Sequence, residues 1–310
     1  MRKTIAAIAL ACLTTTGMAQ NDKKDFQAFN HLDLGLTLGT TGIGFDLATP
    51  LGEYVQIRTG FEFMPRFTKS LHFDIQSFSD DGSLIDTKFD NLSDRLESFT
   101  GYKADSQVKM NGKPTLWNFK LLFDVFPFRN KHWHLTAGFH WGPSQIAEAI
   151  NDLEDAPTLV AVNIYNNIYE KVSEGENVFG DFDVDPDLRR KIKRSGRMGI
   201  HVGDYDDGTP YLMEPDENCT VSAKVTVNSF KPYLGFGYGG KLFKNDNRYQ
   251  VSFDAGLMFW GGEPAITTHD GTNLSKDVSN ISGKVGDYVD FISGIKVFPV
   301  LNLRITRRLF

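Results

Sequence analysis

Cysteine, long apolar runs and surplus basic charge are what this sequence has little of. Among 310 residues the only cysteines are Cys12 and Cys219. Cys12 falls in an N-terminal segment that reads as a removable leader. The one remaining thiol can form no internal disulfide and no cysteine-based metal site. The longest apolar run, Ile5 to Leu13, is far short of the roughly 20 residues a membrane-spanning helix needs. This excludes a helical membrane protein and leaves a β-barrel open. With 33 Lys and Arg against 39 Asp and Glu, the net charge of -6 argues against a nucleic-acid partner, which demands a basic face. Phe (25) and Gly (29) are plentiful, a balance that points to many strands joined by tight turns.

Residues 1–19 read as a secretory signal, with Arg2 and Lys3 as the positive start, Ile5 to Leu13 as the apolar centre and Gly17-Met18-Ala19 as the cleavage site before Gln20. Cys12 as a lipid anchor is the rival reading, but Ala9 stands where an aliphatic residue is expected. Export removes the reducing cytosol but supplies no disulfide, so the domain over 20–310 must be held by its core or its backbone ladder.

Period-two alternation recurs where helical period fails. Leu32, Leu34, Leu36 and Leu38 alternate with Asp33, Gly35 and Thr37, and Ile43, Phe45 and Leu47 with Gly44, Asp46 and Ala48. The set Val55, Ile57, Thr59, Phe61, Phe63 opposes Gln56, Arg58, Gly60, Glu62. Trp117, Phe119, Leu121, Phe123 and Val125 oppose Asn118, Lys120 and Asp124, and Trp133 to Trp141 alternates with His134, Thr136, Gly138 and His140. The stretches Phe230 to Tyr238, Tyr249 to Phe259 and Val297 to Leu309 complete eight expected strands. One face is large and aromatic throughout, whereas the other carries Gly, small polar residues and full charges. A soluble sandwich would bury the large face and wet the charged one. An outer-membrane barrel inverts that arrangement: Trp133 and Trp141, at about 3.3 Å per residue and a tilt near 40°, span roughly 20 Å of its ~25 Å apolar band. Connections alternate short (Pro50 to Glu53, Pro127 to Lys131, Lys244 to Asn247) and long, as periplasmic turns and external loops do.

The segments SFKPYLGFGYGG (229–240), VSFDAGLMFWGGEP (251–264) and FPVLNLRITRRLF (298–310) resemble the last three strands of a family of small Gram-negative outer-membrane β-barrel proteins, in the eight-stranded OmpA/OmpW-like barrel class. FKLLFDVFPFRNKHWHLTAGFHWG (119–142) resembles that family's central hairpin. The resemblance covers about half of the chain and implies a place in the outer membrane of a Gram-negative bacterium, with lipid, lipopolysaccharide and the assembly machinery as partners. It implies no chemistry, since the family has no agreed molecular activity. One departure stands out: family members tend to end Tyr-x-Phe on the lipid face, whereas Arg307 and Leu309 hold those positions here and Phe310 is out of phase.

The inward set collects Asp33, Asp46, Arg58, Glu62, Lys120, Asp124, His134, His140, Asp254 and Arg304. An eight-stranded barrel has an interior only wide enough for side chains, so these read as a buried ion-pair network filling the lumen. A narrow path for ions or small solutes is the functional alternative. His132, His134 and His140 invite a zinc reading, but neighbours two apart on a strand are nearly 7 Å from one another, too far to converge on one ion. No nucleophile triad or carboxylate pair stands out, so neither catalytic residues nor a cofactor are expected, and an enzyme at the barrel mouth is the third reading.

External loops are expected at about 65–113, 143–219 and 262–296. In the first, alternation from Phe67 to Phe78 before Ser79-Asp80-Asp81-Gly82 predicts a hairpin on the rim. In the second, Ile146, Ala149, Ile150 and Leu153, then Val160, Ile164, Ile168 and Val172, predict two short helices broken at Pro157. Asp181, Asp183, Asp185 and Asp187 alternate as weak calcium candidates, without the closing Glu of a calcium loop. Arg189, Arg190, Lys191, Lys193 and Arg194 are candidate contacts for lipopolysaccharide phosphates, unless the acidic run neutralises them. The sequence therefore predicts an all-β protein, an eight-stranded antiparallel transmembrane β-barrel with long extracellular loops containing short helices. Its expected role is that of a non-enzymatic surface or structural protein whose loops contact surface glycan or protein ligands.

Overall fold

The computed structural model describes residues 28–79, 82–85, 93, 94, 97, 104–177, 185–281 and 283–310. The leader with its cleavage site lies outside the described residues, as do Asp181 and Asp183 of the acidic run. Eight strands close a barrel: β1 (Asp33–Gly39), β2 (Gly42–Gly52), β3 (Val55–Phe63), β7 (Trp117–Val125), β8 (Trp133–Trp141), β13 (Phe230–Phe243), β14 (Asp246–Met258) and β17 (Phe298–Arg308). Their order around the wall is β1-β17-β14-β13-β8-β7-β3-β2, antiparallel at every seam.

Alternation sets which side chains face outward. Leu36, Leu38, Phe45, Leu135, Phe236 and Leu303 are exposed on the outer wall, while their neighbours Thr37, Asp46, Thr136 and Asn302 are buried inside. Aromatic residues ring both ends of this apolar band. Trp133 packs edge-on against Tyr238 at 4.9 Å at the short-turn end, and Phe63, Trp117, Trp141 and Phe230 mark the loop end. Arg307 and Leu309 stay exposed on the outer face, in register with Ile305, and the Arg307 guanidinium lies 5.8 Å from the centre of the Tyr249 ring.

Above the barrel a second sheet forms. Its strands are β4 (Lys69–Phe78), β5 (Leu84–Ile85), β6 (Gln107–Pro114), β9 (Gln145–Asn151), β10 (Arg197–Tyr205), β11 (Pro210–Met213), β12 (Ser222–Thr226), β15 (Ala265–Thr268) and β16 (Val278–Ser279). The path β11-β10-β4-β6-β9-β12-β15 carries β5 on β4 and β16 on β10. The stretch β4-β6-β9-β12-β15 repeats the barrel order β3-β7-β8-β13-β14, each upper strand continuing or leading into the barrel strand beneath it. The external segments thus extend the barrel wall. The expected rim hairpin is β4 turning back into β5, Ser77 opposite Ile85 and Phe78 opposite Leu84, and the lower part of β4 pairs with β6, Lys69 opposite Gly112 through Asp74 opposite Gln107.

The two short helices expected over 145–172 are not formed as such. Residues Gln145–Asn151 are β9, paired on both sides with β6 and β12, so the i, i+3, i+4 spacing of Ile146, Ala149 and Ile150 is overridden by the ladder. One helix follows, α1 (Ala156–Glu174), and Pro157 starts it instead of breaking it, because a proline in the first turn sacrifices no intrahelical hydrogen bond. Gly175, at φ 83°, ends α1 in the left-handed region. Asn166 anchors the helix through both its amide nitrogen and its oxygen to the Met198 backbone, at 2.7 and 2.9 Å. Two more helices, α2 (Pro186–Ser195) and α3 (Gly283–Gly294), and a single 3₁₀ turn at Leu153–Asp155 ahead of α1 also belong to the external layer.

Candidate functional site

The inward strand faces converge on a charged lumen. Arg58 is its hub: one amino group donates to Asp254 at 2.9 Å and the other to Asp124 at 2.8 Å, while its Nε lies 2.7 Å from Asp124 as a charge contact. Thr136 donates to Asp124 at 2.7 Å, and His134 Nε2 lies 2.7 Å from Asp254 Oδ1. A second knot centres on Asp46, which accepts from Arg304 Nε at 3.0 Å and pairs with Lys120 at 3.2 Å. Lys120 also donates to Thr37 at 3.2 Å and comes within 3.9 Å of Glu62. His140 Nδ1 lies 2.7 Å from Glu62 as a charge contact, not an aligned hydrogen bond. Asp33 sits apart at the short-turn rim, 3.5 Å from Arg308 Nε and 3.7 Å from His31.

The structure thus brings together every interior residue expected from sequence except Asp33, which it pairs at the rim. It adds one the alternation overlooked: Lys231, with no exposed surface, donating to Asn118 at 3.1 Å and reaching the carbonyls of Pro143 and Ser229. Its parity with Tyr233 and Gly235 on β13 is the signal that could have found it. With Lys231 inside and Arg308 on Asp33, the buried carboxylates face more cations than the three the inward pattern supplied.

Close packing in the lumen depends on glycine. A Cβ on Gly237 would stand 2.3 Å from both Asp254 Oδ1 and His134 Nε2, and one on Gly235 or Gly256 would meet the Tyr233 hydroxyl at 2.4 Å. Toward the loop end the lumen turns apolar, with Leu122, Tyr233, Met258, Trp260 and Val300 packed together and flanked by Val227, Ile295 and Phe298. The Trp260 indole N–H donates to the Ile295 carbonyl at 2.8 Å. At the short-turn end a polar cavity of about 60 Å³ remains, lined by residues that include Asp33, Gln56, Asp124, His134, Gln250 and Arg304.

The loop candidates stand apart from this lumen. Arg190, Lys191, Lys193 and Arg194 are exposed on α2, and Arg189 is half-buried. Arg190 pairs with Asp187, Lys193 donates to the Ser173 carbonyl at 3.3 Å, and Asp185 caps α2 by accepting from the Asp187 N–H at 2.7 Å. Asp185 and Asp187 therefore serve the helix terminus, and no group of His, Cys, Asp or Glu able to hold a metal occurs among the described residues. Cys219, at φ 57°, sits in the turn between Asp216 and Thr220, and Asn163 donates to its Sγ at 3.4 Å.

A closed eight-stranded antiparallel barrel, apolar outside, charged inside and ringed by aromatic residues, has the build of an outer-membrane β-barrel. Solved structures similar to the chain include CarO2 of Acinetobacter baumannii, at 15% identity and a TM-score of 0.38 over 91% of this chain and 100% of that one. CarO of the same organism follows at 13% identity and 0.38, over 92% and 99%. A major outer membrane protein of Thermus thermophilus aligns at 11% identity and 0.29, over 90% and 98%. At these scores they give no residue of this chain a role. No protein-family model matches the chain, and no curated protein matches it.

Proposed function

We propose that this protein is an integral outer-membrane barrel of the Gram-negative surface, non-enzymatic, with a sealed lumen and an external layer that makes its contacts. The observation that carries the reading is the filled interior: Arg58 with Asp254 and Lys120 with Asp46 are buried in two ion-pair clusters, and Met258, Trp260 and Val300 pack across the loop end. Such a lumen offers ions no continuous wet path. Conductance in planar bilayers tests it: the protein is expected to insert without unitary current steps, and stable steps of porin size would overturn the sealed reading. The alternative, a narrow ion or solute path, draws on the polar cavity beneath Asp124 and His134.

The exposed basic face of α2, where Lys191 and Arg194 project into solvent, is the part of the layer suited to lipopolysaccharide phosphates. Changing both to Ala should reduce retention on immobilised lipopolysaccharide several-fold; unchanged retention would remove α2 from the contact. At the other end, the outward register of Ile305 on β17 and of Leu309 just beyond it is the face we assign to the assembly machinery.

A further inference from the structure

The upper sheet holds a half-open apolar pocket of about 330 Å³, separate from the charged lumen. On three of its strands the walls come from the same faces that look into the barrel below, whereas β4 and β9 switch parity on leaving the barrel. Met110 and Gly112 on β6, Val225 on β12 and Ile266 on β15 keep the inward parity of the strands they join, and α3 closes the side with Val289 and Ile292. Toward the far end the inner face of β4 is filled by the core that includes Ile75, Met198, Leu159 and Val162, the last two from α1. The inward surface thus changes from charged in the barrel to apolar in the extension. Of the polar lining residues, Thr268 has its hydroxyl taken up by Tyr211 and Asp270, Lys69 and Glu148 are exposed and Lys113 is half-buried, so the buried walls (Met110, Val202, Met213, Val225 and Ile266) are apolar. A void of that kind stays dry or fills with an apolar guest.

Three observations specify the guest. The volume is more than twice the ~150 Å³ that an apolar cavity needs to take up benzene, which scales to roughly twelve carbons. The lining runs from Phe67 to Phe73 along one edge, about 20 Å at ~3.3 Å per residue, so the space is narrow for its length. The exposed lining residues Phe67, Lys69, Glu148 and Tyr288 mark the mouth, where Glu148 accepts from the Gln145 side-chain amide at 3.0 Å, and Phe67 follows four residues after Phe63, in the aromatic ring that tops the outer apolar band. Lys69 has no ion-pair partner among the described residues and stands at that mouth.

We infer that the cavity binds a single unbranched acyl chain of about twelve carbons, tail inward and its anionic head at Lys69, entering beside Phe67 from the level of the outer leaflet. The inference deepens the reading of a surface layer that makes contacts, and rests on it only for where the chain comes from. Conductance bears on the sealed lumen alone, so the two readings fail independently.

The test uses the full-length protein held in an amphipathic polymer instead of detergent, whose own alkyl tail would compete. Dodecanoate and 1-lauroyl lysophosphatidylethanolamine are titrated separately and binding is read by calorimetry. Saturable one-to-one binding of at least one is expected; dodecanoate alone points to free fatty acid as the source, the lysolipid to membrane lipid. Ala149→Phe and Ala223→Phe each fill the cavity from a different strand and should weaken binding at least tenfold, provided the barrel still shows its folded mobility on unboiled gels. Lys69→Glu, on the surface and harmless to folding, should weaken dodecanoate at least fivefold and leave dodecanol unchanged. Failure of both ligands to bind, or binding indifferent to Ala223→Phe in a folded protein, would overturn the inference.

Discussion

Arg58 shows how much one side chain carries in a lumen this narrow. It neutralises Asp124 and Asp254 at once, and removing one partner of a buried pair leaves the other charge uncompensated. Arg58→Met should therefore destabilise the barrel by about 3–5 kcal/mol, read as a lower urea midpoint in a gel-mobility unfolding series. A gain in stability would mean that the network is not structural. Gly237→Val should be comparably damaging, because its side chain would occupy the space of the His134–Asp254 contact. In the external layer Asp152 is one acid-sensitive group: hydrogen bonds from Asn111 and Lys109, and from the Glu154 backbone N–H, hold its carboxyl down to about 2 from an ordinary value of 3.8. A lowered folded value means that its contribution is present above pH ~4 and is lost as pH falls toward 2. Asp152→Asn should flatten the rise in protease susceptibility of the external layer over that interval.

Among elements, the closing edge of the upper sheet is the most informative. β11 and β15 lie at opposite ends of the sheet path, yet the Tyr211 hydroxyl lies 2.8 Å from both Thr268 Oγ1 and the Asp270 carboxylate, to which it donates, and His269 Nε2 meets the Glu214 carbonyl at 2.8 Å. Side chains, not a backbone ladder, draw the sheet into a near-cylinder. Burial pushes the Tyr211 hydroxyl up from its usual value, so it stays protonated and donating. Tyr211→Phe removes the donor and should cost about 1–3 kcal/mol, seen as faster hydrogen exchange in β11 and β15 with the barrel amides unchanged. Equal protection in both proteins would show that backbone packing alone holds the edge. Helix α1 belongs to the same scale: Pro157 and Gly175 delimit it, whereas Ile164 and Leu153, which helical spacing would have buried, are exposed.

For the whole molecule, the barrel and its extension are one wall with two interiors. The lower interior is charged and spanned by ion pairs, while the upper is apolar and partly empty, with the Met258–Trp260–Val300 layer between them. Replacing Met258 and Trp260 together by Ala should remove that layer while leaving the Arg58 network in place. A small increase in bilayer leak relative to the parent protein, well below porin steps, is then expected; no change would locate the seal in the network alone.

The strands were legible because a barrel wall has a period of two and separates water-like from oil-like surroundings across a single residue, so Leu36, Asp46, Arg58 and Phe61 state their faces locally. The glycines, short turns and aromatic rings belong to the same local code. Lys231 escaped because its strand was read from the large outward residues, and one Lys among Gly and Tyr carries no pattern of its own. The loops were illegible for a different reason: whether Ile146, Ala149 and Ile150 form a helix or a strand depends on β6 and β12 offering backbone partners from more than 30 residues away on either side. Sequence by itself determined the eight-stranded wall and the charge of its lumen. Only the tertiary structure decided that the external segments extend this wall, close through Tyr211 and line an apolar pocket, because those outcomes rest on pairing and packing between distant segments.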